Sequence, residues 1–242
     1  MKDIITIRKG SAQWRDLFYD CNTDEWYRNG TDTLYAKGDL SALLDQNRPK
    51  VLVTGTRLVE PEDIKTTKRI VRALADNPYK PVIISGLAVG SDTLIHTEAL
   101  AAGVPTVAVL PCGPEAPVYP LRNTGLAEEI SATPGCALLT QFPGAEYPSA
   151  INCLLRNHTM AMISDFGIVT ACRRKGSAIV CANLLHERDR RVFAVPGAIL
   201  DITHKGCNKL IYDKIADILC DFDDLKDICT MRKSNSYVNP YQ

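Results

Sequence analysis

The chain has 242 residues, 45% of them hydrophobic and 7% aromatic, with 28 lysines and arginines against 28 aspartates and glutamates. That content supports one large domain around a full-size core and excludes disorder as the main state. No apolar run reaches the roughly 20 residues that cross a bilayer, and balanced charge gives no bulk attraction to nucleic acid or an anionic membrane, so any anion site has to be a local patch.

The first eight residues interrupt their apolar stretch with polar side chains and offer no small-residue cleavage site. No signal peptide is therefore expected, and the expected location is cytoplasmic. Trp14, Leu17 and Phe18 stand at helical spacing. A polar stretch runs to Thr31, and residues 34–39 read as a short strand and turn. Residues 1–47 are thus expected to form a small N-terminal cap, too short to fold alone.

A rhythm begins at residue 50. Apolar runs at 51–54, 81–84, 105–110, 136–140, 166–170 and 191–195 alternate with helical segments near 61–74, 92–102, 124–131, 152–163 and 176–187. Pro61-Glu62-Asp63 makes a favourable first helical turn. Continuous apolar runs of this length, separated by helices, predict a parallel sheet covered on both faces. The fold class is therefore α/β, an extended Rossmann-like, doubly wound and mainly parallel sheet. It is expected over residues 48–228, with residues 229–242 a flexible polar tail.

The nine cysteines include no pair closer than nine residues and no C-x-x-C spacing. Together with histidines at 96, 158, 186 and 204 they show no ligand pattern, so neither a metal nor a cofactor is expected. An odd number of cysteines in a chain without a signal peptide points to reduced thiols. Charge is unevenly spread: residues 156–191 hold seven basic and three acidic side chains, and residues 213–227 hold six acidic and two basic ones.

In such sheets ligands bind beyond the carboxyl ends of the strands. The first strand ends in Gly55, Thr56 and Arg57. The second ends in Ser85, Gly86, Leu87, Ala88, Val89, Gly90, Ser91 and Asp92. Glycines there let backbone amides approach a phosphate at a helix start, although a tight strand-to-helix turn demands glycine as well. No G-x-G-x-x-G follows the first strand and no acidic residue ends the second, which disfavours a nicotinamide dehydrogenase. Asp92 and His96 are four apart and share a helix face. They read either as an acid–base pair or as a helix cap beside a packed histidine. Arg173, Arg174, Lys175, Gly176 and Ser177 could supply charge and amides to phosphate, or form a solvated turn. Phe193-Ala-Val-Pro-Gly197 reads as a strand entering a rigid turn.

Taken in order, these segments resemble the DprA/Smf family, the DNA-processing proteins of natural transformation. The resemblance covers about Leu34 to Leu225. It rests on Tyr35-Ala-Lys-Gly-Asp39, Gly55-Thr-Arg57, the 85–92 loop with His96 and Ala99-Leu100, Thr106-Val-Ala-Val109, Gly113 and Tyr119-Pro120. It continues with Asn152, Arg156-Asn157, Gly176-Ser177, Ala194-Val-Pro-Gly197 and Gly206-x-Asn208-x-Leu-Ile211. The resemblance implies a homodimer that binds single-stranded DNA without sequence preference, protects incoming strands and helps load the recombinase RecA, with no catalytic step. It also implies that Arg57 and Arg156 contact the DNA backbone, that Ser85 to Gly90 floor the pocket, and that Asn157 shapes its wall.

This chain departs from the family pattern at named places. The family's F-P-x-R-N-R is Cys153-Leu-Leu-Arg-Asn-His158 here, so Cys153 stands where a pocket phenylalanine is usual and His158 where an arginine is. A basic residue of some relatives corresponds to about Ala150. The S-E after the fourth strand is Thr140-Gln141, and the S-G-S loop is Lys175-Gly-Ser177. A base-stacking contact is worth about 1–3 kcal/mol, and Arg173, Arg174 and Lys175 offer electrostatic compensation for its loss. The winged-helix and N-terminal helical segments common in the family are not expected in this minimal member. The alternative is a non-catalytic sensor of a nucleotide-derived ligand. Phosphoribohydrolases of the LOG type fit less well, because Val180 stands at their glutamate position and no carboxylate assists a departing base.

Overall fold

The computed structural model describes residues 3–18 and 32–229. The six apolar runs become β3 (Lys50–Thr54), β4 (Val82–Ser85), β5 (Thr106–Val109), β6 (Ala137–Thr140), β7 (Phe166–Val169) and β8 (Val192–Ala194), with every residue buried. They pair in parallel in the order β6-β5-β4-β3-β7-β8. Burial on both faces explains their unbroken apolar sequence.

The alternation of side chains along each strand divides the core into two layers. Leu52, Ile84, Val107 and Leu139 face α1 (Ala12–Leu17), α2 (Ser41–Leu44), α6 (Ala150–Met162), α7 (Ser177–His186) and α8 (Lys205–Tyr212). Val51, Val53, Ile83 and Ile168 face α3 (Pro61–Ala75), α4 (Ser91–Ala101) and the short α9 (Asp224–Ile228). Ala108 and Leu138 on that second face meet α5 (Thr124–Ala132). The α3 start follows its sequence: Pro61 opens the helix, and Glu60 and Asp63 form a reciprocal capping box.

The sheet also runs on into the region read as a cap. β1 (Ile5–Arg8) pairs antiparallel with β2 (Thr33–Gly38), and β2 pairs antiparallel with β6. Ile7, Leu34 and Ala36 belong to the same core layer as Leu139. At the opposite edge, β9 (Asp217–Ile218) adds two exposed residues beside β8. Part of the acidic 213–227 stretch is spent on exposed ion pairs: Asp217 to Arg191 at 2.6 Å, Asp223 to Lys226 at 2.8 Å, and Asp213 to Lys209. Among the described residues, no helix is long and apolar enough to cross a membrane. The expected polar stretch to Thr31 and the tail beyond Cys229 lie outside the described residues.

Candidate functional site

The chain builds β3 to β6 outward on one side, then returns to place β7 on the other side of β3. Thr54 and Val169 are paired across that join, and the loops that follow must part to reach α3 and α7. Such a reversal opens a crevice at the carboxyl edge of the sheet. Here it has a volume of about 440 Å³ and is lined by Gly55, Thr56, Arg57, Leu58, Cys172, Arg173, Lys175, Gly176 and Ser177. Among the described residues, three cations and no carboxylate line it. Arg57, Arg173 and Lys175 are exposed, as is Arg174 just outside the lining. No described residue makes an ion pair with any of these four.

The N-terminus of α7 opens into the same space. Gly176 is its N-cap, and no side chain bonds the first turn. Free amides and the positive end of the helix dipole favour an anion there. The loop is tightened by Gly176 N donating to Arg173 O at 3.0 Å and held from behind by Gly206 N donating to Cys172 O at 2.8 Å. A Cβ on Gly206 would stand 2.6 Å from Arg173 O, which explains why glycine begins that motif. Asn208 completes it: its amide accepts from Gly197 N at 3.0 Å and donates to Gly197 O at 2.9 Å.

The glycine-rich loop after β4 does a different job. None of its residues lines the crevice. Ser85, Gly86 and Leu87 are buried, while Ala88 and Gly90 are half-buried. Gly90 has φ +86°, and a Cβ there would lie 2.5 Å from Thr56 O, so the loop backs the β3 loop directly. Ser91 N donates to Thr56 O at 2.9 Å. A Cβ on Gly55 would meet Ser91 Oγ at 2.4 Å. Gly90 thus serves contact between backbones, and Gly55 makes room for the Ser91 and Thr170 side chains.

Arg156 lies under this loop, only 6% exposed. Its Nη1 donates to Val109 O at 3.0 Å, and a Cβ on Gly86 would fall 1.6 Å from that atom. Its charge faces Asp92, also 6% exposed, whose carboxylate accepts from Thr54 Oγ1 at 3.2 Å and from Ala88 N at 3.3 Å. Burial pushes the Asp92 carboxyl up, and Arg156 and the hydrogen bonds pull it back. The resemblance implies that Arg156 meets the DNA backbone; here the guanidinium is buried against Gly86, with Nη1 bonded to Val109 O and Nε without a hydrogen-bond partner among the described residues. Asn157 is buried beside it on α6. Cys153 and His158 are half-buried and do not line the crevice.

Of the two readings of Asp92 and His96, the structure shows the packed histidine, whereas Asp92 does not cap the helix: Gly90 is the N-cap, and Asp92 sits in the first turn, bonded back to Ala88 and Thr54. His96 Nδ1 lies 2.8 Å from Thr106 Oγ1 with the ring fully buried. Burial and the Arg156 charge hold it down at about 3, so it is neutral. One group went unnoticed in the sequence. His204 Nδ1 lies 2.7 Å from Asp201 Oδ2, and its Nε2 lies 3.7 Å from Asp63 in the first turn of α3. That clasp ties the first turn of α3 to the loop before α8. Only proximity in the fold reveals it.

Cys172, in the crevice wall, has its sulfur 3.7 Å from that of Cys207, beyond a disulfide bond. The neighbouring sulfur and burial push the Cys207 thiol up. Among the described residues, no group of three or more histidine, cysteine or acidic side chains could hold a metal.

Comparison with known proteins identifies the family and the fold. The model for the DNA recombination-mediator protein A family matches residues 14–230. DNA processing protein DprA of Streptococcus pneumoniae is 34% identical over 197 residues, covering 78% of this chain and 66% of its own length. Its crystal structure superposes with a TM-score of 0.79 at 27% identity, covering 92% of this chain and 73% of that one. DNA processing protein A from Helicobacter pylori, solved to explain its single-stranded DNA binding mode, gives a TM-score of 0.77 at 24% identity over 96% of this chain and 97% of that one. The chain spans about half to two-thirds of the length of the first curated relatives it matches. This chain belongs to the DNA recombination-mediator protein A family.

Proposed function

We propose that this protein binds single-stranded DNA without sequence preference in the crevice between the β3 and β7 loops. The observation that carries this reading is the set of cations Arg57, Arg173 and Lys175, gathered around the uncapped start of α7 with no ion-pair partner and no carboxylate between them among the described residues. A phosphate there would meet backbone amides and up to three positive side chains, a sequence-tolerant and salt-sensitive mode of binding. The pneumococcal relative is named for DNA processing and the Helicobacter one is described as binding single-stranded DNA, which supports a DNA-binding reading. On this reading the protein acts in the cytoplasm, protects incoming strands and aids RecA loading, and performs no covalent step. Homodimerisation belongs to the same reading. The loop carrying Ile199 and Leu200, 86% and 87% exposed, offers an apolar surface for it.

The test is fluorescence anisotropy of a labelled strand of about 30 nucleotides, titrated beside a duplex and free nucleotides at two salt concentrations. Preference for the single strand, weakened by salt and by Arg57→Ala, is the expected result. Binding of a free nucleotide without strand binding would favour a small-ligand sensor and overturn this proposal.

A further inference from the structure

We infer that the crevice reads the phosphodiester backbone alone, so that a strand stripped of its bases is bound as well as a normal one. This rests on the single-strand reading above and names what that site recognises.

Among the described residues, no aromatic side chain lines the crevice. Its apolar side chains are Leu58 and Cys172, neither of which offers a π face to a base. The position where stacking would be looked for on α6, Cys153, is half-buried and outside the lining. What else faces the space is cationic or small and polar: Arg57, Arg173 and Lys175, with Thr56 and with Ser177 at the helix start. Those groups recognise charge and phosphate oxygen. The Arg173–Lys175 turn is fixed by its internal hydrogen bond and by Gly206 behind it, so its charges are held at the crevice mouth without any base to order them.

The measurement compares two 30-unit strands of equal charge, oligothymidylate and its abasic tetrahydrofuran analogue, against the full chain by competition anisotropy. Oligothymidylate forms no hairpins, so the two differ in bases alone. A stacked base is worth about 5-fold to 150-fold in affinity. Dissociation constants within about threefold of each other, both weakened by Arg173→Ser/Lys175→Ser, are the expected result. Binding of oligothymidylate with abasic affinity fivefold or more weaker would overturn the inference and leave the single-strand function standing. Binding of neither strand would overturn both.

Discussion

Two loops at the carboxyl edge of the sheet look interchangeable in the sequence and do opposite work. The loop from Ser85 to Asp92 is rich in glycine and sits before a helix, the arrangement associated with phosphate cradles. In the structure it is packed against its neighbours, Gly86 on Arg156 and Gly90 on Thr56, and outside the crevice, with Ala88, Val89 and Gly90 half-buried. The loop from Cys172 to Ser177 carries one glycine and three cations, and it is the one that stays open. Glycine marks a place where backbone comes close to something, and here that something is another strand's loop. Cations without partners are the better guide to a ligand.

The comparison is broken most severely at Arg156. Arg156→Leu leaves Asp92 buried without its countercharge, which should cost about 3 kcal/mol in urea denaturation, although Asp92 can take up a proton to relieve part of it. If the guanidinium supports the fold and does not touch the strand, the salt dependence of binding should be unchanged in that variant. A shallower slope would place Arg156 on the DNA.

The support behind the open loop is next in size. Asn208→Ala removes both hydrogen bonds to Gly197 and should lower stability by about 2 kcal/mol. An unchanged urea midpoint would show that the Gly197 turn holds its shape alone.

Acid sharpens the buried side of the comparison. His96 stays neutral in the fold down to about 3, whereas an unfolded histidine takes a proton near 6.5. Between those values the unfolded chain binds more protons, so stability falls as pH falls, by up to about 1.4 kcal/mol per pH unit. Asp92, whose carboxyl is raised by burial, acts in the opposite sense, because the folded state takes its proton first. The His96 contribution is therefore read as the difference between wild type and His96→Gln, which should be less sensitive between pH 6 and 4. Parallel curves would contradict a buried neutral His96.

Much of the fold was legible in the residues because burial on both faces leaves runs such as Val51–Val53 and Val107–Val109 with no polar interruption. β1 was not legible: its Ile-Thr-Ile-Arg buries one face only, at a sheet edge, and four residues are too short for alternation to stand out. The two-residue β9 gives no signal at all. At the site, Arg57 and the Lys175–Ser177 turn were visible as charge beside a helix start. The roles of Arg156 and the Asp63–His204 clasp were not, because each depends on partners brought together only by folding.

The most direct test of the account is the salt dependence of strand binding in Arg173→Ser/Arg174→Ser/Lys175→Ser, residues whose exposure should keep the stability change within about 0.5 kcal/mol. With Arg57, Arg173 and Lys175 as the crevice's phosphate contacts, the slope of log K against log salt should be about −2.1 in the wild type and about −0.7 in the variant. An unchanged slope in a folded variant would mean that the strand binds elsewhere on the molecule.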